Sequence, residues 1–301
     1  MNSEELRQLT DRVWIIPGPT NIGVIQEGEG IWLVDSGNDK EAGRKINKIL
    51  KARNWELKGI LNTHSNADHI GGNDYLQRQY DCGVYAGPVE SAFVEFPFLE
   101  ASFLWGGFPP DDLDNKFFRA KPSEVRGFLT PEKPAPLPGL TIIPLPGHYF
   151  DMVGILTADG VYFLGDCLFG SRILEKYGIP FIYDVAAYRR TLETLRETGA
   201  RWFVPSHGEA ETDFRETVEV NLRAVEKAEA VLLELLREEL TFEEILKGLC
   251  DRYGIRLDCG QYALVGSTVR SFLSWLKNTG RIGHRFLENR MCWRINPAPE
   301  G

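Results

Sequence analysis

Thr63-His64-Ser65-Asn66-Ala67-Asp68-His69 stands where an apolar run, Leu57 to Asn62, gives way to a helical pattern expected from about His69 to Tyr80. In an extended chain, alternation sets His64 and Asn66 on one side. Asp68 and His69 then enter at the helix start, so several donors converge on a small volume. Imidazole nitrogens combined with carboxylate oxygens suit zinc, manganese or iron far better than calcium. One histidine in such a place would be read as structural. Two with an aspartate predict a metal site.

Three further polar residues occupy equivalent places. His148 lies in L-P-G-H-Y after the strand-like L-T-I-I-P-L, Asp166 in F-L-G-D-C after V-Y-F-L, and His207 in V-P-S-H-G after R-W-F-V. Each follows an apolar strand and has Gly or Pro nearby to relax the backbone. The chain has five histidines, and four of them sit at such strand ends. His284, between Gly283 and Arg285 in an expected hairpin, is the exception and is read as exposed.

Short β-rich runs (R-V-W-I-I-P, N-I-G-V-I-Q, G-I-W-L-V-D) open the chain, and Lys40 to Arg53 carries Ala42, Ile46, Ile49 and Leu50 at helical spacing. A second β-rich half follows with L-T-I-I-P-L, M-V-G-I-L-T and V-Y-F-L-G-D, and Asp184 is positioned to cap a helix reaching about Glu197. Two such halves predict two packed sheets with helices outside. Residues 90–123 interleave Phe93, Phe96, Phe98, Phe103, Trp105, Phe108, Phe117 and Phe118 with Pro, Gly and acids. This stretch reads equally as an irregular excursion packed on the core and as a lid or substrate wall. From about Asp213 the pattern is helical to Leu240, with Glu226, Glu229 and Glu234 expected on a solvated face. Thr241 and Glu244 have capping-box spacing, and Tyr262, Val265, Val269, Phe272 and Leu276 form one stripe. Ile282–Leu287 and Met291–Ile295 then read as a hairpin, so the end of the chain resembles a winged-helix module. The expected division is 1–212 and 213–301.

With 301 residues, 43% hydrophobic and 26% charged, the chain has the composition of a globular protein with a substantial core. No apolar run approaches the roughly 20 residues of a membrane span. The first twelve residues mix acids with bases and lack an apolar segment, which predicts no signal peptide and a cytoplasmic protein. Five cysteines without a C-x-x-C pair predict reduced thiols, neither a disulfide framework nor a cysteine zinc site. A net charge of −9 opposes general attraction to nucleic acid.

The order H-S-N-A-D-H, G-H, G-D, S-H-G resembles the metallo-β-lactamase superfamily, whose signature H-x-H-x-D-H is followed by the same elements. The resemblance covers about Val13 to Gly208 and implies a four-layer αββα sandwich. By similarity to glyoxalase II-like members, one metal would be held by His64, His148 and Asp166. A second would be held by Asp68, His69, Asp166 and His207. Asp35, in L-V-D-S-G, also matches a family element and would orient a ligand. The family's second histidine is Asn66 here. An amide oxygen is a poorer zinc donor than imidazole, so the first site is expected to bind more weakly or to recruit another ion.

Taken together, these features predict a metal-dependent hydrolase of an ester, thioester or phosphoester. Zn2+ is expected at one or two ions per chain, with iron or manganese as alternatives. Asp68 and Asp166 are the expected catalytic carboxylates, and Tyr149 and Arg172 are candidate substrate contacts. A second reading is persulfide dioxygenase chemistry at an iron on His64, His148 and Asp166. A third is nucleic-acid binding through Arg270, Lys277, Arg281, Arg285, Arg290 and Arg294. A small-molecule substrate is the expected partner, with no membrane and a homodimer as a candidate assembly.

Overall fold

The structure is a computed structural model and describes residues 6–297. Seven strands form the first sheet in chain order: β1 (Arg7–Gln8), β2 (Val13–Ile16), β3 (Ile22–Glu27), β4 (Gly30–Val34), β5 (Glu56–Leu61), β6 (Gly83–Ala86) and β7 (Val125–Phe128). The pairs from β1 to β4 are antiparallel, and those from β4 to β7 are parallel. The second sheet runs β11 (Trp202–Pro205), β10 (Val161–Gly165), β9 (Val153–Thr157), β8 (Leu140–Pro144).

Alternation along single strands explains the layering. In β2, Val13 and Ile15 join the core between the sheets, whereas Trp14 and Ile16 face the other way, toward α1 (Lys40–Ala52). In β10, Val161 and Phe163 join the inter-sheet core, while Tyr162 and Leu164 point to the outer helices. Strands buried on both faces are therefore continuously apolar, as covered sheets require. The result is the expected αββα sandwich.

On the outer face of the second sheet, Tyr162 and Phe203 pack with Val185, Tyr188 and Leu192 of α7 (Val185–Arg196). The same core continues into α8 (Arg215–Leu235), α9 (Phe242–Tyr253) and α10 (Cys259–Asn278). The Thr241–Glu244 capping box is formed at the start of α9. The expected hairpin consists of β13 (Ile282–Leu287) and β14 (Arg290–Ile295), and β12 (Leu240–Thr241) adds to β14. His284 is exposed on it, as expected. All five cysteines are free. Among the described residues no helix is long and apolar enough to cross a membrane.

Three local expectations are corrected. The helix expected over His69–Tyr80 is two pieces, α2 (Ala67–Ile70) and α3 (Asn73–Tyr80). Gly71 and Gly72 divide them because the chain passes so close to the β4–α1 loop that a Cβ on Gly71 would lie 2.2 Å from the Asn38 backbone. The aromatic stretch is not irregular throughout. It forms α4 (Pro88–Glu95), α5 (Phe98–Trp105) and a 3-10 turn at Asp111–Leu113. Glu229 is buried rather than solvated, and it pairs with Arg189 at 3.1 Å and also with Arg281. Glu226 and Glu234 are exposed as expected.

Candidate metal centre

Four strand ends deliver the donors. His64 follows β5, His148 follows β8, Asp166 follows β10 and His207 follows β11, while Asp68 and His69 sit on α2. Gly147 makes the approach of His148 possible. Its φ is +127°, and a Cβ there would meet the Tyr188 backbone nitrogen at 2.3 Å.

All six side chains predicted from the sequence gather in one place. His64, His148 and Asp166 form one group and Asp68, His69 and His207 a second, and in each group the donor atoms lie within 4.8 Å of one another. Asp166 lies between them. Its Oδ1 is 3.4 Å from His69 Nε2, and its Oδ2 is 3.3 Å from His207 Nε2 and 3.7 Å from His148 Nε2. His207 Nε2 is also 3.1 Å from Asp68 Oδ2.

Each imidazole is anchored through Nδ1 and leaves Nε2 for the centre. His64 Nδ1 lies 3.1 Å from Thr63 Oγ1, His69 Nδ1 2.8 Å from Asp35 Oδ2, His148 Nδ1 2.9 Å from the Phe181 carbonyl, and His207 Nδ1 2.7 Å from the Pro19 carbonyl. This arrangement fixes both ring orientation and tautomer in metal-ligating histidines. His64 Nε2, His69 Nε2 and Asp166 Oδ1 are buried without a hydrogen-bond partner. Orphaned buried polar atoms are costly, and a cation shared by these atoms removes that cost. The donor set therefore fits transition-metal ions.

The electrostatics agree with that density of charge. Burial pulls His69 down, but the carboxylates of Asp68, Asp166 and Asp35 outweigh it and hold the imidazole well above its ordinary value. Burial raises Asp166, yet His207 and His69 hold it well below the usual carboxylate range. His64 is held well below its ordinary value by burial and by His69 beside it.

Asp35 is placed as the sequence suggested. It adopts φ +61°, a left-handed conformation that Asp tolerates better than most residues. Its carboxylate accepts from Thr63 N and Thr63 Oγ1, both at 2.8 Å, besides meeting His69. Asp35→Ala is expected to weaken metal binding at the His69 group roughly 10–100-fold, read by competition with a chromophoric chelator. Unchanged affinity would show that Asp35 serves only the loop.

Asn66 is the N-cap residue of α2 but makes no capping bond. Its Nδ2 donates to Glu100 Oε1 at 2.8 Å, and its Oδ1 lies 3.1 Å from His148 Nε2. Because His148 Nδ1 donates to the Phe181 carbonyl, Nε2 of a neutral ring faces the amide oxygen with a lone pair. Two acceptors turned toward each other suit two donors to a common cation. Glu100 was not anticipated, and neither was Glu90. Glu90 is fully buried, accepts from Ser65 N at 2.9 Å and Asp151 N at 3.1 Å, and is pushed up to about 8 by burial. Both acids lie on the aromatic stretch, which the sequence marked as unusual without revealing its partners.

Two candidate substrate contacts are not supported. Tyr149 is fully buried, with its ring against Phe93 and Phe150, and it is not among the residues lining the site's cavity. Arg172 is exposed on α6 (Ser171–Tyr177) and is not among the residues lining the site's cavity. That cavity, of about 1000 Å³, has Asn66, Asp68, His148, Asp166 and His207 in its wall.

The sequence model of the metallo-beta-lactamase superfamily matches residues 15–207, from β2 to the last histidine of the cluster. The chain belongs to this superfamily. Membership implies metal ions, in agreement with the donor set. An atrochrysone carboxyl ACP thioesterase from Aspergillus chevalieri is 23% identical over 224 residues, 69% of this chain and 60% of that protein. A hydroxyacylglutathione hydrolase from Thiobacillus denitrificans is 29% identical over 150 residues, 50% of this chain and 46% of that protein. The matched stretch thus spans between 46% and 60% of the length of these curated relatives. Among solved structures, a beta-lactamase domain protein from Burkholderia ambifaria has a TM-score of 0.79 at 16% identity, covering 98% of this chain and 95% of that one. That likeness is one of fold, and its coverage takes in the C-terminal helices of this metallo-beta-lactamase superfamily member.

Proposed function

We propose that this protein is a metal-dependent hydrolase of carboxylic esters or thioesters. The observation that carries the reading is the pair of His/Asp groups sharing Asp166 at the wall of one cavity. Imidazole and carboxylate donors favour zinc, with manganese or iron as alternatives. Bound there, such ions polarise a carbonyl oxygen and bring the pKa of water toward about 7. His64, His148 and Asp166, with the amide oxygen of Asn66, would hold one ion. Asp68, His69 and His207, again with Asp166, would hold the other.

Asp68 has a second role in this proposal. It is the partly exposed carboxylate of the set, and Thr20 Oγ1 steadies its Oδ2 at 3.1 Å. It is therefore placed to take a proton from the attacking water. The water oxygen bonds to the carbonyl carbon, the bond from that carbon to sulfur or oxygen breaks, and the released thiolate or alkoxide takes a proton. The products are a carboxylic acid and a thiol or alcohol. The thioesterase and the hydroxyacylglutathione hydrolase among the relatives support this choice of bond.

The iron-dioxygenase reading uses only His64, His148 and Asp166. It leaves the complete Asp68, His69, His207 group without a task, and hydrolysis is favoured for that reason. The basic residues invoked for nucleic acid are largely engaged within the chain. Arg281 meets Glu229, Arg285 meets Glu239, Arg290 meets Glu288, and Arg270 lies over the Phe242 ring at 3.9 Å.

The test is turnover by zinc- or manganese-loaded protein on a panel of esters, thioesters and phosphodiesters. Ester or thioester cleavage that a chelator abolishes and added metal restores is expected. Two bound ions with no turnover on the panel, or oxygen uptake with a persulfide, would overturn the proposal.

A further inference from the structure

The cavity beside the His/Asp centre is built by three segments distant in sequence. Leu104 and Phe118 come from the aromatic stretch, Ile173 and Leu174 from α6, and Leu264 and Val265 from α10. The first and third segments are fastened together. Ala101, Leu104, Leu113, Phe118 and Ala263 form one buried cluster. A Cβ on Gly260 would already lie 3.0 Å from the Phe118 ring. The wall is thus part of the packed fold, and the C-terminal helices are what complete it.

Charge narrows the occupant. Among the described residues, Lys176 is the one Lys or Arg in the cavity wall. Its ammonium is 2.9 Å from the Tyr177 hydroxyl and stacks over that ring at 4.6 Å. Glu100, Asp112 and Asp258 add carboxyl groups beyond those of the centre. Away from the ions of the centre, a ligand bearing several carboxylates, as glutathione conjugates do, meets these acids and a single lysine. The volume of about 1000 Å³ is at the upper end for small-molecule sites, and a two- or three-carbon acyl group would leave most of it unfilled.

We propose that the cavity takes the apolar acyl chain of an uncharged ester or thioester, with α10 and the aromatic stretch as its specificity-determining wall. This rests on the hydrolase reading for the bond that is cut, whereas occupancy of the cavity does not depend on turnover. Burial of each added methylene is expected to strengthen binding about threefold to fourfold until the cavity is full.

The experiment uses the metal-loaded full chain and displacement of Nile red by neutral amides of two to twelve carbons, with S-hexylglutathione as the anionic comparison. Affinity should rise with chain length, and S-hexylglutathione should bind at least tenfold more weakly than hexanamide. Leu264→Trp and Ile173→Trp, on two different helices, should each weaken decanamide binding at least tenfold while the thermal transition stays in place. Affinity independent of chain length, tighter binding of the glutathione conjugate, or two folded tryptophan variants with wild-type binding would each overturn the proposal. Length-dependent binding without hydrolysis would sustain it and sink the hydrolase reading. Turnover without length dependence would do the reverse.

Discussion

Asp166→Ala is expected to lower kcat/KM for a cleaved ester by about 10³–10⁴-fold and to reduce bound metal at both groups. Among the described residues, no other carboxylate stands within 4 Å of the ring nitrogens of three histidines. Asp166 Oδ1 approaches His69, and Oδ2 approaches His148 and His207. Its removal takes one anionic donor from each group and leaves imidazoles facing one another across a buried space. Metal polarisation of a carbonyl supplies several kcal/mol of transition-state stabilisation, and each tenfold in rate corresponds to about 1.36 kcal/mol. Steady-state kinetics beside elemental analysis checks both halves. A variant with full metal content and near-wild-type kcat/KM would show that Asp166 is peripheral.

The second large effect concerns stability. Chelation should lower the thermal transition by roughly 6 °C or more. His64 Nε2, His69 Nε2 and Asp166 Oδ1 are buried without hydrogen-bond partners, and the buried carboxylates and imidazoles around them need a cation to balance them. A ligand at about 1,000 times its Kd contributes about 4 kcal/mol. At about 2.1 cal/mol/K of unfolding entropy per residue, each kcal/mol moves the midpoint of a 301-residue chain by roughly 1.5 °C. Thermal melts with excess zinc and with excess chelator measure the difference, and readdition of zinc should restore the higher midpoint. Coincident melts would mean that the cluster is held together without an ion.

The site was more legible in the sequence than its surroundings. His64, His148, Asp166 and His207 each terminate an apolar strand, and a strand end in a parallel or mixed sheet is a place in space as well as in sequence. Asp35, just beyond β4, is legible only through the family resemblance, which matches it to a family element. Contacts between distant segments carry no such signature. Glu100 meets Asn66 across 34 positions, and nothing in the periodicity of either segment announces the pairing. Glu229 sits on a helix rich in charge, a pattern that predicts a solvated face. Its burial depends on Arg189 from α7 and Arg281 beyond α10. Tyr149 follows a donor histidine, which makes it a candidate substrate contact, yet its ring packs among neighbouring aromatics and is fully buried. The split between α2 and α3 turns on how closely the loop at Asn38 passes Gly71. That distance is set by the fold, not by local propensity.

Six scattered side chains, with Asn66, are expected to hold two ions through one shared carboxylate, Asp166. Metal titration of the chelated protein with zinc, followed by calorimetry and elemental analysis, tests this directly. Two ions per chain are predicted, the second binding more weakly because an amide oxygen stands in for an imidazole. Uptake of one zinc ion per chain, or of none, would contradict this prediction.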